Sequence, residues 1–265
     1  MSGVLRHRKA QLQLSKISLS DILEHCEMIS SDSFRTGEED GKGRVLIASV
    51  DMLPGKVFLV ERPALVIPCE EVDKYANDDA GQLSLLLAGY DAFRDLQSPE
   101  EIAAILSLFG PTAGGKIEEL RKFAKSCPFG DNEEEVEIFV KITNIIRLNA
   151  FHAGPYFGLF PALTRMSHSC VPNASVSFAD RVCTCRVLLP VRAGQELTIE
   201  YTPDYRMQPT HIRRQVYADQ KDFTCMCARC CAPGDDTRQF DCSDDSCRGY
   251  HYVCQPLPTP NPAAP

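Results

Sequence analysis

Cysteines crowd the stretch "FTCMCARCC", and their spacing constrains the fold more than any other feature of this sequence. A C-x-C-x-x-C pattern is formed by Cys225, Cys227 and Cys230, and thiolates this close together can face one tetrahedral zinc ion. A closed structural site needs a fourth ligand from elsewhere. Cys231 is the nearest candidate, but we expect the immediate neighbour of Cys230 to point away from the metal. Cys170, in "RMSHSCVPNASVSF", is the other candidate, and it would join two distant parts of the chain through one ion.

The composition favours a soluble, intracellular protein that binds metal. The 265 residues are 44% hydrophobic, which is enough for a sizeable core. The cysteine count of 13 is odd, and its crowding fits metal binding in a reducing compartment better than a disulfide scaffold. The sequence contains no membrane-length apolar run and no signal-peptide core, so we expect the nucleus or cytoplasm and no membrane partner. The formal charge of -8 predicts basic peptide partners and no direct binding of nucleic acid.

Two β-rich parts flank a stretch of different periodicity. The residues "RVLIASVDMLPGKVFLVERPALVIP" predict two or three strands, broken by the turn-forming pair Pro54-Gly55. Strands return at "NASVSF", "RVCTCRVLLPV" and "QELTIEY", with a turn at Ala179-Asp180. The polar N-terminal residues predict a short helix over "SDILEHCEMI" and an acidic loop over "TGEEDGKG".

Between these parts, residues from about 71 to 150 have the period of helices. In "SPEEIAAILSLFGP", Ser98 is a natural N-cap, Pro99 suits the first helical position and Glu101 completes a capping box. The segments "GKIEELRKFAKSC" and "DNEEEVEIFVKITNIIRLNAF" predict two further helices. This stretch is therefore a helical insertion between the β-rich parts.

Five motifs in a fixed order carry a resemblance to a known family: "GKGRVLIASVDMLPGKVFLVERP", "LNAF", "GLFPALTRMSHSCVPNASV", "GQELTIEY" and "FTCMCARC". Together they resemble a SET-domain lysine methyltransferase of the SMYD-type branch, with its post-SET zinc cluster. The resemblance implies an α+β fold of small twisted β-sheets closed by a knot-like threading. It divides the chain into an N-terminal segment (1–40), a SET domain (41–205) with the helical insertion at about 71–150, a cysteine-rich zinc-binding segment (206–254) and a proline-rich tail (255–265). No MYND zinc finger is expected, because "ERPALVIPCEEV" leads directly into the insertion.

The resemblance also implies an active site. It implies that Tyr201 is the catalytic residue, beside the methyl group in transfer. It implies contacts to S-adenosylmethionine from Lys42, Gly43, Arg44, Asn149, Ser167, His168, Tyr201 and Phe223. The zinc ligands that it implies are Cys170, Cys225, Cys227 and Cys230.

The expected activity is methyl transfer from S-adenosylmethionine to a protein with an accessible lysine, such as a histone tail. A sulfonium methyl needs only a lone pair in line, so such a site must mainly position a neutral amine and exclude water. Two departures from the family pattern motivate an alternative function, a catalytically weak SET-fold module that binds protein partners. Ser167 replaces an asparagine of the N-H-S-C motif, and Val45 replaces the second glycine of a G-x-G turn.

The remaining cysteines have separate interpretations. Cys183 and Cys185 lie two residues apart on a predicted strand, and we expect them to be small buried hydrophobic residues. A second zinc site is a hypothesis for the C-terminal residues Cys242, Cys247 and Cys254, completed by Cys231 or His251.

Overall fold

The structure of the chain, a computed structural model, describes residues 31–39, 42–76, 82–111, 113–244 and 246–254. The helix expected over "SDILEHCEMI" and the proline-rich tail lie outside these residues. The described chain divides into two compact units, one made of residues 59–164 and 177–184, the other of residues 31–58, 165–176 and 185–254. None of the helices in the described residues has both the length and the apolar character that are needed to cross a bilayer.

Helices dominate the first unit, as the change of period predicts. They are α1 (Cys69–Asp73), α2 (Gln82–Arg94), α3 (Pro99–Leu106), α4 (Gly115–Ser126) and α5 (Glu133–Asn149). The predicted cap of α3 is confirmed, since the Ser98 hydroxyl oxygen accepts the backbone N–H of Glu101 at 3.2 Å. Helix α5 is central to the core. Most of its side chains from Val136 to Asn149 are buried, and they occupy every face of the helix.

A small antiparallel sheet belongs to the same unit. Its strands are β4 (Leu65–Pro68), β5 (Phe151–His152) and β6 (Tyr156–Leu159), in the order β4-β6-β5. A second three-stranded sheet has the order β3-β9-β8, formed by β3 (Val57–Glu61), β8 (Ala174–Ala179) and β9 (Val182–Val187). The turn between β8 and β9 lies one residue later than predicted, at Asp180 and Arg181, whose φ angles are 52° and 59°. Cys183 and Cys185 are fully buried on β9, which confirms their interpretation as core residues.

Pairs of strands and two helices make up the second unit. Strand β1 (Phe34–Glu39) pairs antiparallel with β2 (Gly43–Ala48), and β7 (Ser167–His168) pairs parallel with β10 (Thr198–Ile199). The C-terminal residues form α6 (Thr210–Lys221), α7 (Ala228–Cys231) and a hairpin of β11 (Gly234–Asp241) and β12 (Tyr250–Cys254).

The prediction of an acidic loop over "TGEEDGKG" was wrong for the first half of this segment, which forms the end of strand β1. Gly37 pairs with Val45 in this hairpin, and a Cβ atom at Gly37 would lie 2.4 Å from the Cδ1 atom of Ile47. A side chain at this position would therefore require the flexible end of Ile47 to move aside. The strand was not predicted because it contains a glycine and two glutamates, and neither residue type favours β-structure by itself.

Helix α6 and the β11–β12 hairpin were not predicted from the sequence, and a buried carboxylate joins them. Asp235 of β11 accepts the backbone N–H of Thr210, the first residue of α6, at 3.0 Å. It also accepts hydrogen bonds from Thr237 and from the guanidinium of Arg238. Burial alone would raise the pKa of Asp235, but these hydrogen bonds outweigh it and lower the pKa to about 2.

We expect Asp235→Asn to lower the free energy of unfolding by about 3 kcal/mol at pH 7, the worth of a pKa about 2 units below that of an unfolded aspartate. Because the folded pKa is depressed, this stabilisation is present above pH 4 and is lost as the pH falls to 2. Urea unfolding of both proteins across this range checks the prediction. The exposed Asp241→Asn is the control, and an equal loss in that variant would contradict the role of Asp235.

Candidate active site and metal centre

Four cysteine sulfurs come together in the second unit. The Sγ atom of Cys170 lies 3.9 Å from that of Cys225 and 3.6 Å from that of Cys230, and with Cys227 all four sulfurs lie within 4.8 Å of one another. Zn–S bonds of about 2.3 Å place the sulfurs of a tetrahedral site about 3.8 Å apart. The predicted convergence of Cys170 on the C-x-C-x-x-C cluster is thus confirmed. Cys231 points elsewhere, since its thiol donates to the Met226 carbonyl.

Two consecutive arginines of α6 hold the cluster in place. Arg213 is fully buried, and its guanidinium donates to the Thr210 hydroxyl at 2.8 Å and to the Cys230 sulfur at 3.6 Å. Arg214 donates to the backbone carbonyls of Cys225 and Cys230 at 3.2 and 2.8 Å. One arginine therefore faces the sulfurs, while the other fixes the loop that carries them.

Hydrogen bonds with Cys170, Cys227 and Cys230 raise the pKa of Cys225, and the pKa of Cys170 is lowered by Cys225 but raised overall by Cys227 and Cys230. The other two cysteines have a lowered pKa, which favours the thiolate form that binds metal. Hydrogen bonds from Cys170 and Cys225, together with one from Arg213, lower the pKa of Cys230 to about 7. Hydrogen bonds from Cys170, Cys225 and Cys230 also lower the pKa of Cys227. Four thiolates around a zinc ion would carry a net charge of about -2, and the buried guanidinium offsets part of it. The donor set and the charge therefore both fit zinc.

His168 lies between the cysteine cluster and Tyr201. Its Nε2 atom is 3.3 Å from the Cys170 sulfur, and its Nδ1 atom accepts the backbone N–H of Tyr201 at 3.3 Å. Burial lowers the pKa of His168 to about 4, so the ring is neutral at physiological pH. A neutral imidazole has one donor and one acceptor. Because Nδ1 faces an N–H group, the proton belongs on Nε2, directed at Cys170.

Tyr201 follows β10 and is fixed at both of its ends. Its backbone N–H donates to the Nδ1 atom of His168, and its hydroxyl donates to the Met166 carbonyl at 2.6 Å. The Phe223 ring stands edge-on to the tyrosine ring, with 6.3 Å between the centroids, and it also stacks on Tyr217 at 5.3 Å. Burial raises the pKa of Tyr201, so the hydroxyl stays protonated. The arrangement presents a fixed phenol within an aromatic cluster.

The turn residues Lys42, Gly43 and Arg44 lie in the same unit. Gly43 has a φ of 73°, a conformation that favours glycine, and it opens strand β2. The Lys42 ammonium lies 2.6 Å from a Glu196 carboxylate oxygen and 2.9 Å from one of Glu39. Burial raises the pKa of Tyr201, and the negative charge of Glu196 adds to that rise.

Arg44 and Ser167 are the least engaged of the predicted cofactor contacts in this unit. Arg44 is half-buried, and burial lowers its pKa although the Glu38 carboxylate acts against that shift. Ser167 is half-buried on β7, opposite Thr198 of β10. The assignment of these side chains to the cofactor stays a prediction.

Asn149 belongs to the first unit, at the end of α5. Its amide nitrogen donates to the Phe109 carbonyl at 2.7 Å and to the Ile145 carbonyl at 2.8 Å. Both N–H donors of the side chain are therefore used within the helical core. Its assignment to the cofactor likewise stays a prediction.

Sequence reasoning missed several residues that shape the site. Arg213 and Tyr217 are one helical turn apart, and both are fully buried. Charged residues usually mark the solvent-exposed face of a helix, so the arginine makes the inner face of α6 look exposed in the sequence. Met166 contributes only a backbone carbonyl, and Glu196 acts through an ion pair with a distant lysine. The spacing of Arg213 and Tyr217 was the one available signal.

The structure does not assemble a second zinc site at the C-terminal cysteines. Among the described residues, the Cys170 group is the one cluster of three or more possible metal ligands. Cys242 and Cys247 both contact Gly249 at one end of the β11–β12 hairpin, whereas Cys254 pairs with Gly234 at the other end. The length of the hairpin keeps Cys254 away from the other two, so that hypothesis was wrong for the described residues.

Comparison with known proteins gives a family match and several relatives. Residues 43–202 match the SET domain family. The chain is 38% identical over 73 residues to protein-lysine N-methyltransferase SMYD4 of Homo sapiens, which covers 28% of this chain and 9% of that protein. It is 29% identical over 175 residues to protein-lysine N-trimethyltransferase SMYD5 of Gallus gallus, which covers 59% of this chain and 41% of that protein. The chain thus matches less than half the length of these curated relatives.

A solved structure of Rubisco LSMT bound to sinefungin and monomethyllysine is also similar. Its TM-score is 0.51 at 16% identity, and the match covers 80% of this chain and 56% of that one. At this level of identity the likeness concerns the fold. It confirms the expected α+β architecture of small sheets with added helices.

Proposed function

Because this chain belongs to the SET-domain family, we propose that it is an S-adenosylmethionine-dependent methyltransferase that acts on lysine side chains of proteins. One observation carries the proposal: Tyr201 lies within the matched residues, with its backbone and its hydroxyl both fixed. The curated relatives bear the names of protein-lysine methyltransferases, which supports the same reaction here.

S-adenosylmethionine would supply a methyl group on a sulfonium, which a neutral amine attacks along the line of the S–C bond. No covalent intermediate with the protein is needed, so catalysis rests on alignment and on exclusion of water. A free lysine has a pKa of about 10.4, so the acceptor must lose a proton before it reacts. Desolvation in an apolar site favours that loss.

The Tyr201 hydroxyl can align the reacting atoms. Its proton is donated to the Met166 carbonyl, and a phenol oxygen can accept hydrogen bonds as well as donate one. An acceptor oxygen can bind an amine N–H and can also attract the polarised C–H groups of a sulfonium methyl. Because the hydroxyl is already hydrogen-bonded, little reorganisation is needed during transfer.

The aromatic and acidic surroundings suit a sulfonium and a cationic substrate. The faces of Phe223 and Tyr201 can attract a positive group within about 6 Å. Glu196 adds negative charge to the same region, although Lys42 balances it in part. Over the whole chain, a formal charge of -8 would favour encounters with lysine-rich polypeptides.

The proposal includes a structural zinc ion on Cys170, Cys225, Cys227 and Cys230. Four sulfurs within 4.8 Å of one another leave no position for a water ligand in a tetrahedral site, so the ion would be structural. Its effect would be to fasten the segment that carries Phe223 to the loop that follows β7.

Transfer of labelled methyl from S-adenosylmethionine to histones and to a cell-extract protein pool tests the proposal. We expect labelled protein whose label survives acid hydrolysis as methyllysine. The zinc-loaded chain should also bind S-adenosylmethionine in a calorimeter. Protein that neither binds the cofactor nor transfers methyl would favour the alternative, a SET-fold module that binds partners.

The variant Ser167→Asn probes the cofactor pocket. Asparagine restores the amide of the family motif, so we expect S-adenosylmethionine to bind about 1 kcal/mol more tightly, the usual net worth of one hydrogen bond. Calorimetric titration of both proteins measures the difference, and Ser169→Asn is a control two residues away. Unchanged or weaker binding would show that the pocket is built around the serine.

A further inference from the structure

The imidazole of His168 spans the distance between the cysteine cluster and the tyrosine. One ring nitrogen lies 3.3 Å from the Cys170 sulfur, and the other lies 3.3 Å from the backbone nitrogen of Tyr201. A single flat ring thus connects residues that are 31 positions apart in the chain.

The backbone ladder around His168 shows why a side chain is used here. Strand β7 pairs with β10 only as far as Ile199, and the N–H of Ser169 donates to the Ile199 carbonyl. Two residues later the N–H of Tyr201 is held by the imidazole instead of by a carbonyl. The ring therefore extends the parallel ladder past its end and sets where the tyrosine backbone lies.

The ring cannot easily change its position. Its centroid lies 4.1 Å from that of the Tyr217 ring, 5.4 Å from that of Tyr201 and 6.0 Å from that of Phe223. Three neighbouring rings and two hydrogen bonds therefore limit how far the imidazole can move. A displacement of the Cys170 sulfur would therefore be transmitted to the Tyr201 backbone.

We infer that His168 is a positioning residue that couples metal binding at the cysteine cluster to the placement of Tyr201. The inference rests on the proposed function, because it takes zinc as the metal and Tyr201 as the residue at the reacting atoms. In the metal-bound state Cys170 is a thiolate, and the Nε2–H group would make a charge-assisted hydrogen bond to it. Loss of the metal would free the sulfur, and the tyrosine would lose its fixed position.

Two variants separate hydrogen bonding from packing. His168→Phe keeps a flat ring but removes both hydrogen bonds, whereas His168→Gln keeps one donor and one acceptor. Competition with a chromophoric chelator measures zinc affinity. We expect at least a tenfold loss in His168→Phe, since such outer contacts to metal ligands are typically worth 10- to 100-fold. His168→Gln should stay within threefold of the original protein, as should the exposed control His211→Gln.

Fluorine NMR of protein labelled with 3-fluorotyrosine reads the coupling without any turnover. The Tyr201 resonance is assigned by its absence in Tyr201→Phe. We expect zinc removal to shift this resonance in the original protein, and we expect the His168→Phe resonance to be displaced even with zinc bound. If His168→Phe does not fold, the zinc response of the original protein and the His168→Gln affinity still decide the matter.

Zinc affinity of His168→Phe within twofold of the original, or a Tyr201 resonance that ignores zinc, would overturn the coupling. Neither readout needs S-adenosylmethionine. Absence of methyl transfer with both readouts as expected would therefore overturn the proposed function alone.

Discussion

Tyr201→Phe is expected to lower the rate of protein methylation at least tenfold, about 1.4 kcal/mol of transition-state stabilisation, with folding and zinc content unchanged. The substitution keeps the ring that packs against Phe223 and the backbone that meets His168. It removes the hydroxyl oxygen and its hydrogen bond to the Met166 carbonyl. The loss should appear in turnover more than in cofactor affinity, because alignment matters most in the transition state.

Tyr217→Phe is the matched control for this experiment. It removes a hydroxyl from the same aromatic cluster, one that accepts a hydrogen bond from Thr202. We expect it to change the methylation rate less than threefold. Methylation that survives Tyr201→Phe undiminished, or that falls equally in both variants, would show that the hydroxyl of Tyr201 has no special place in the reaction.

The cysteine cluster shows how far local spacing can predict a site. Three ligands could be identified because C-x-C-x-x-C brings thiolates together by chain geometry alone, whatever the fold. The proposed fourth ligand, Cys170, is 55 residues away from Cys225, and spacing could not choose between it and Cys231. Resemblance to a family made that choice, and in the structure the Cys170 sulfur lies beside those of the other three cysteines.

Helix α6 shows where such reasoning fails. The rule that apolar residues mark the inner face of a helix assumes a hydrocarbon core. Here the inner face meets sulfur atoms, so its buried residues include Thr210 and Arg213. A guanidinium is accommodated in that position because it donates hydrogen bonds to the Cys230 sulfur and to the Thr210 hydroxyl. A sequence without a known metal centre gives no reason to bury an arginine there.

Strand β1 was missed for a related reason, because its stability depends on pairing with strand β2. The loss of a glycine at Val45 suggested a poorer turn, yet the structure has a glycine opposite it, at Gly37. This juxtaposition follows from cross-strand pairing, which the sequence of one strand alone does not show.

Cys170→Ser and Cys227→Ser are each expected to lose the bound zinc and to destabilise the C-terminal segment. A serine hydroxyl stays protonated at neutral pH, so each variant keeps three thiolates and an open position. In small zinc-binding peptides the metal contributes on the order of 10 kcal/mol to folding, so its loss should loosen the segment that contains the short helix α7. Metal analysis and limited proteolysis measure the two effects.

Cys231→Ser supplies the contrast. Cys231 is adjacent to Cys230 in the chain, but its thiol donates to the Met226 carbonyl, so this variant should keep its zinc and its resistance to protease. Zinc missing from freshly reduced original protein would remove the metal centre altogether. Full zinc retention in Cys170→Ser, with loss in Cys227→Ser, would instead show that the ion is held within the C-terminal segment. The loop after β7 would then have no metal link to Phe223, and the coupling through His168 would lose its anchor.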